Sequence, residues 1–430
     1  MPAPPMKFLH CADLHVDSPL RGLERYEGAP VDEARAATRR AFENMVSLAL
    51  EERVAFVLIA GDLYDDDWPD FNTGLFFARQ MGRLAEGGIR VFVVKGNHDA
   101  SSRITRSLRL PANVHVFDDR AAGTVVLDDL GVAVHGRSFA TGAVSEDLAA
   151  GYPQAVPGLF NIGLLHTSLT GRPGHASYAP TTLDVLRARG YHYWALGHVH
   201  AREFVCTDPW VVYPGNAQGR HARETGPKGC MLVDWDGVRV EPRFAALDVL
   251  RWSLVSVDIG GLADADAVLV RVSAAIQDAL DAADGRLLAV RLQVGGAGPV
   301  HRDVAGRHEQ FAGEVRAQVN ERFGGRAWVE KLHVATASEL DLDALARRDD
   351  PLGMLLRSLD ALAADEAARA ALGARALSEL QAKLPAELRA GDGGIDLAAP
   401  QTLSALLEET RAELVARITA GPAARGGGRA

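Results

Sequence analysis

Five times in the first 200 residues, an apolar run of strand length stops at a short polar motif. Residues 7–12 lead into Asp13-Leu14-His15, residues 54–60 into Gly61-Asp62, and residues 90–95 into Gly96-Asn97-His98-Asp99. The run Gly163-Leu164-Leu165 ends at His166, and Trp194-Ala195-Leu196 ends at Gly197-His198-Val199-His200. Short apolar runs bounded by turn residues read as buried strands. Between the first three, residues 33–52 place Ala37, Ala41, Met45, Leu48 and Ala49 on one helical face. Residues 71–87 form a second helix, closed by Gly87 and Gly88. This β-α-β-α-β order predicts a parallel sheet with helices on its faces, an α/β arrangement. Ligands of such sheets bind beyond the carboxyl ends of the strands, so the five motifs are expected on one rim.

From residue 114 the pattern changes to short strands, at 125–127, 132–135, 161–166, 193–197, 210–213, 231–235 and 238–244, with a hairpin signal at Asp236-Gly237. A second, mixed sheet closing against the first is expected. Residues 249–338 then form a smaller α/β unit, with strands at 251–258, 286–294 and 327–334 and helices at 263–283 and 303–323. Residues 339–420 are rich in Ala, Leu, Glu and Arg at helical spacing, in 352–362, 365–384 and 402–418, interrupted at Asp392-Gly393-Gly394. Residues 421–430 are Gly, Arg and Ala only and are expected to be a disordered tail. The first domain is accordingly 1–248.

The motif residues suit a pair of metal ions. Asp13, Asp62 and Asn97 offer oxygen; His15, His166, His198 and His200 offer imidazole nitrogen. In an extended segment His198 and His200 point to the same side, two residues apart, so each can reach a different ion. Two ions about 3.5–4 Å apart can share one carboxylate and clamp both oxygens of an in-line displacement. Water between them is acidified to a hydroxide, chemistry that fits a phosphate ester. Any one of these residues alone is as well read as a turn, cap or core hydrogen bond; their joint order is what points to metal. Mixed nitrogen and oxygen ligands without thiolate suit Mn2+, Fe2+ or Zn2+, with Mg2+ also compatible.

The net charge of −10 excludes nucleic-acid binding over the whole surface, so any polyanion contact is local. Two basic clusters qualify: Arg103, Arg106 and Arg109 after the third motif, and Arg220, His221, Arg223 and Lys228. Guanidinium groups match phosphate oxygens two at a time and would position a strand without reading its sequence. Taken singly, each is as well read as a solvated charge. His175 reads as a loop histidine, His115 and His135 as strand residues, and Cys11 as a small core residue. Three cysteines give no disulfide framework. Residues 1–5 lack the pattern of a signal peptide, and no apolar run approaches about 18 residues, so a cytoplasmic protein without a membrane span is expected.

The order Asp-x-His, Gly-Asp-x-x-Asp, Gly-Asn-His-Asp, His and Gly-His-x-His over residues 8–200 resembles the calcineurin-like metallophosphoesterase superfamily. Three stretches narrow the resemblance to its DNA-repair exonuclease branch, the SbcD-like nucleases and in particular the YhaO-like group. They are residues 10–20, Gly61-Asp62-Leu63-Tyr64-Asp65, and Tyr213-Pro214-Gly215-Asn216 running on to Gly229. The resemblance implies a β-sandwich flanked by helices, an α/β capping domain over the active site at 249–338, and a helical C-terminal segment. It implies that Asp13, His15, Asp62 and His200 hold one ion, and that Asp62, Asn97, His166 and His198 hold the other. His98 would not be a ligand but would give a proton to the leaving oxygen; a plain hydrogen bond is its bland alternative. Mn2+ is the favoured metal.

Asp65 departs from the SbcD-like pattern, which has histidine three positions after the bridging aspartate. Many phosphatases of the superfamily have aspartate there, paired with the histidine matching His98, and a carboxylate would fix that imidazole and raise its pKa. Asp65 is otherwise a solvated turn residue, since Asp66 and Asp67 follow. The leading function is a metal-dependent DNA exonuclease or endonuclease in repair, with an ABC/SMC-type coiled-coil ATPase as partner. The alternative is a phosphatase or phosphodiesterase for small phosphoesters such as nucleotides, and a metal-free scaffold is the third. Asp65 and the acidic charge favour the small-ester reading; the extra domain and helical segment favour the nuclease. The stripe Leu352, Leu355, Leu356, Leu359 and Leu362 binds either a partner helix or its own chain. A homodimer is compatible with the sequence, and no motif encodes the polarity of cleavage.

Overall fold

A computed structural model describes residues 4–18, 31–65, 72–101, 109–169, 178–339, 342–383 and 396–419. Arg103, Arg106, His175, Asp66, Asp67 and the tail 421–430 lie outside the described residues. The chain divides into two compact units. One comprises Met1–Val255, Ser273–Leu292 and Arg316–Leu332; the other comprises Ser256–Val272, Gln293–Val315 and His333–Ala430.

The first unit contains two six-stranded sheets. In one, β1 (Met6–Cys11), β2 (Phe56–Ala60), β3 (Arg90–Val94) and β4 (Val114–Val116) run parallel. This sheet is extended antiparallel by β11 (Gly229–Trp235) and β12 (Val240–Ala246), in the order β12-β11-β1-β2-β3-β4. The second sheet has the order β5-β6-β7-β8-β10-β9, from β5 (Gly123–Leu127), β6 (Val132–Gly136), β7 (Phe160–His166), β8 (Tyr193–Gly197), β9 (Glu203–Thr207) and β10 (Trp210–Tyr213). Here β6, β7, β8 and β10 are parallel. The mixed α/β architecture expected from the sequence is what forms.

Period-two alternation divides the strand residues between cores. Phe56, Leu58 and Ala60 of β2 meet Phe8, Phe160, Ile162 and Tyr193 between the sheets. Val57 and Ile59 face the other way, onto Phe42, Met45, Phe77 and Met81 of α1 (Val31–Glu51) and α2 (Asn72–Glu86). Phe139, Tyr152, Trp194 and Tyr213 fill a third layer with α4 (Leu183–Arg187). Strands buried on both faces read as unbroken apolar runs, which is why they were legible. The strands β4 and β9 were not expected. The first is three residues long, and the second is a half-exposed edge strand opening on a glutamate. Cys11 is buried as expected, and His135 is a buried strand residue between Thr124 and Asn161, 2.8 and 2.9 Å away.

Strands β13 (Leu250–Asp258), β14 (Leu287–Ala297) and β15 (Ala327–Ala337) form a third sheet in that order, with helices α5 (Ala265–Ala282) and α7 (His308–Phe323) between them in sequence. In the second unit, α9 (Pro351–Ala364) begins at Asp350, whose side chain accepts from the Gly353 N–H at 2.9 Å. Leu352 and Leu356 are buried with Val415 of the last helix, Pro400–Thr419. That part of the leucine stripe packs on its own chain. Residues 365–384, expected as one helix, break at Leu377 into Glu366–Ala376 and Ser378–Lys383.

His10 ties the two sheets together beneath the rim. From β1 its Nδ1 meets Tyr193 Oη at 3.0 Å and its Nε2 the Leu196 carbonyl at 3.1 Å. Complete burial lowers its pKa to about 3. The folded state thus holds His10 neutral, while the unfolded chain protonates it near its ordinary value. Its contribution is complete above about pH 6.5 and declines as pH falls toward 3. Proton NMR is expected to show the His10 ring untitrated between pH 8 and about 4 in the folded protein. Titration with an ordinary midpoint would contradict the buried bridge.

Candidate metal centre

The loops after β1 and β2 lock onto each other by main-chain bonds. Asp13 N–H donates to the Gly61 carbonyl at 3.0 Å, His15 N–H to Asp62 at 3.0 Å, and Val16 N–H to Leu63 at 2.9 Å. These turns are tight enough to force left-handed backbone, with φ of 50° at Asp13, 43° at His15, 51° at Asp62 and 101° at His198. Side chains rarely adopt that conformation, Asp and His less rarely than most, and it gathers at functional sites. Gly61 and Gly96 allow the loops to approach. A Cβ at Gly96 would fall on Oδ1 of Asp62, and one at Gly61 would meet the His166 ring.

Asp62 lies at the centre. Its Oδ2 is 3.9 Å from His15 Nε2 and 3.6 Å from His166 Nε2, and its Oδ1 accepts the His98 N–H at 3.1 Å. His166 Nε2 is 3.0 Å from Asn97 Oδ1, and His15 Nε2 is 3.3 Å from His200 Nε2. Asp13 accepts the His198 N–H on both oxygens at 3.1 Å. Ligand atoms of Asp13, His15 and His200 lie within reach of one cation, as do those of Asp13, Asp62 and His166. All seven expected residues converge here. His98, expected outside the ligand set, also lies close enough to group with His15 and Asp62.

The expectation that His198 and His200 share a side in an extended segment fails. Strand β8 ends at Gly197 and the chain turns at His198. The His198 ring stands 5.3 Å from that of His166 and 5.6 Å from Tyr178, whereas the His200 ring is 5.1 Å from His15. The two rings still stand beside different neighbours, His198 by His166 and His200 by His15, by a turn rather than by pleat.

Burial sets the charge state. It pushes Asp13 well above the usual carboxylate range, with the nearby Asp62 charge adding to it, and raises Asp62 to about 6. It lowers His15 and His166 each to about 3, keeping both neutral, the state that binds metal. Ionising carboxylates buried in a shell of neutral imidazoles is costly without a cation beside them, and a pair of divalent cations is what this donor set fits. Asp99, buried and raised to about 7 by burial and by Asp62, accepts from the N–H groups of Gly96 at 3.0 Å and Tyr64 at 3.2 Å. It pins the second and third loops together.

Around the ligands runs a polar ring that sequence reasoning read differently. Asp65 lies against Nδ1 of His15, off the line of an ideal hydrogen bond, and against the Ser18 hydroxyl. Among the described residues no ion pair joins it to His98, its expected partner, because the turn after Asp62 carries it to the His15 side. Burial opposes ionisation of Asp65, but His15, Arg220 and Ser18 hold it below the usual carboxylate range. Arg220, expected at the substrate, directs Nη1 to Asp65 at 2.8 Å. Lys228 is buried and donates to the His200 carbonyl at 2.9 Å. His221, Arg223 and Arg109 remain exposed. Glu224 was not anticipated as a site residue. Its Oε1 meets His200 Nδ1 at 2.7 Å. Only its place in the Asn216-to-Gly229 stretch hinted at it.

Residues 6–202 match the calcineurin-like phosphoesterase family, and residues 252–337 match the middle domain of metallophosphoesterase YhaO. The chain is 36% identical over 258 residues to the uncharacterised metallophosphoesterase YhaO of Bacillus subtilis, covering 59% of this chain and 63% of that protein. It is 25% identical over 293 residues to the DNA double-strand break repair protein Mre11 of Methanopyrus kandleri, covering 60% of each. Against Mre11 of Haloferax volcanii it is 25% identical over 265 residues, covering 59% and 55%. The chain spans about three fifths of the length of these relatives.

Asp62→Asn separates stability from metal binding. With Asp62 titrating near 6, its ionised form costs the metal-free fold stability above that pH and nothing below about pH 4. The metal-free variant is expected to be more stable than the parent by on the order of 1–3 kcal/mol at pH 8, by chemical denaturation. The rise in Tm that Mn2+ gives the parent should disappear. A less stable metal-free variant at pH 8 would contradict this electrostatic picture.

Proposed function

We propose that this chain, whose residues 6–202 match the calcineurin-like phosphoesterase family, is a metal-dependent hydrolase whose substrate is a DNA phosphodiester, cleaved in repair. The observation that carries this reading is the gathering of Asp13, His15, Asn97, His166, His198 and His200 around Asp62. It is joined to the likeness, along some 60% of the chain, to proteins whose names record double-strand break repair.

Asp13, His15, Asp62 and His200 would hold one divalent cation, and Asp62, Asn97, His166 and His198 the other, with Mn2+ the metal we propose. Bound there, the cations supply Lewis acidity toward the phosphoryl oxygens and an acidified water as nucleophile. The protein's own contribution is orientation. The main-chain N–H groups of His98 and His198 hold Asp62 and Asp13, and the Ala60 carbonyl, 2.9 Å from His166 Nδ1, leaves Nε2 of that ring free to ligate. The half-buried His98, its ring 5.2 Å from that of His15, would deliver a proton to the leaving oxygen. Exposed Arg109, His221 and Arg223 would meet backbone phosphates without reading sequence. Residues 249–338 would cap the site and the helices beyond 339 would engage an ABC/SMC-type ATPase. No helix among the described residues is long and apolar enough to cross a membrane, and a cytoplasmic setting fits this role.

One observation favours the small-phosphoester alternative. Arg220 and Lys228 are engaged inside the fold, so the second basic cluster offers a strand less positive charge than its composition suggested. Digestion of end-labelled single- and double-stranded DNA with Mn2+, beside a nitrophenyl phosphodiester, decides between them. DNA cleavage is expected, and His98→Ala should lower kcat by about 10²–10³ without weakening Mn2+ binding. Turnover of the small ester with no DNA cleaved, with or without an ATPase partner, would overturn the nuclease reading.

A further inference from the structure

The rings of His15 and His200 meet tip to tip, their Nε2 atoms 3.3 Å apart and the Asp13 carboxylate within reach of both. Both nitrogens can serve one cation only if each presents a lone pair, which requires the ring proton to sit on Nδ1. The structure places a carboxylate at each Nδ1: Asp65 against His15, and Glu224 at 2.7 Å from His200. One side chain joins those two carboxylates. Arg220 donates from Nη1 to both oxygens of Asp65 at 2.8 and 3.1 Å, and its Nη2 stands 4.0 Å from Oε1 of Glu224. Its own main-chain N–H donates to Oε2 of Glu224 at 2.7 Å. Ser18 on Asp65, and Asn216 at 2.9 Å from Glu224, fill the remaining acceptor positions. The Arg220 side chain is only 17% exposed, which suits an internal clamp better than a substrate contact.

Resting on the metal-centre reading above, we propose that Arg220 is a positioning residue that locks His15 and His200 in the Nδ1-protonated tautomer and thereby sets the affinity of one of the two ion sites. Its guanidinium, hydrogen-bonded to Asp65 and ion-paired with Glu224, and its main-chain N–H on Glu224 together hold both carboxylates where the imidazoles need them, which a lysine's point charge would do less completely. His166 is an internal control, because its Nδ1 rests on the Ala60 carbonyl at 2.9 Å and not on this network.

The test is nitrogen-15 NMR of the histidine rings in metal-free full-length protein, paired with Mn2+ calorimetry. The parent is expected to show the Nδ1-protonated form at His15, His166 and His200. Arg220→Ala should mix tautomers at His15 and His200 but not at His166, and should weaken one of two Mn2+ sites by about 10–100-fold. Arg220→Lys should recover part of both effects. A folded Arg220→Ala protein with unchanged tautomers and an unchanged isotherm would overturn the proposal, and so would a raised KM for DNA as its sole defect. Should Arg220→Ala not fold, Glu224→Ala frees the His200 ring alone and Arg220→Lys should show a weaker form of both effects; unchanged tautomers and an unchanged isotherm in both would overturn the proposal equally. A parent protein that binds no Mn2+ would sink the metal-centre reading instead, and the tautomer result would stand apart from it.

Discussion

Two carboxylates, Asp13 and Asp62, are almost wholly buried within one shell of imidazoles, and the rest of the architecture accommodates that fact. Negative charge in an apolar interior is costly unless a cation meets it. The chain tolerates this because the loops carrying Asp13 and Asp62 are bonded to each other through three main-chain hydrogen bonds. Left-handed backbone at four of the candidate ligands, Asp13, His15, Asp62 and His198, is the local expression of the same constraint. A looser turn would move a carboxylate out of the shell.

The two sheets provide the rigid frame. Strands β1, β2 and β3 deliver the first three motifs from one sheet, and β7 and β8 deliver the last two from the other. The site therefore depends on the sheets keeping their registration. His10, reaching from β1 to Tyr193 and the Leu196 carbonyl, is a polar fastener placed three residues before the first ligand. Being neutral, it adds no charge beneath a centre that already holds too much of one sign.

Outside the ligands, a second ring of charge compensates itself. Asp65, Glu224 and Arg220 form a closed set, and Lys228 secures the His200 main chain. Residues that would serve a nuclease as surface cations serve instead to orient imidazoles. This explains how an acidic protein can carry arginine and lysine beside its site while, of the described members of the two basic clusters, only His221, Arg223 and Arg109 remain exposed.

The sequence by itself determined the buried strands, the order of the motifs and the donor types they carry, because these are local properties: period, composition and adjacency along the chain. It also pointed to a candidate metal site, since seven oxygen- and nitrogen-bearing residues fall at or just after the ends of buried strands. What only the tertiary structure decided is which atoms meet. Asp65 and Arg220 are 155 positions apart, Glu224 lies 24 from His200, and His10 lies 183 from Tyr193. Pairing at such separations depends on how turns aim side chains across loops, and single-residue turns at Asp62 and His198 redirected Asp65 and split His198 from His200. Side-chain direction after a left-handed residue has no periodicity from which it could be read, so it exists only once the sheets have packed.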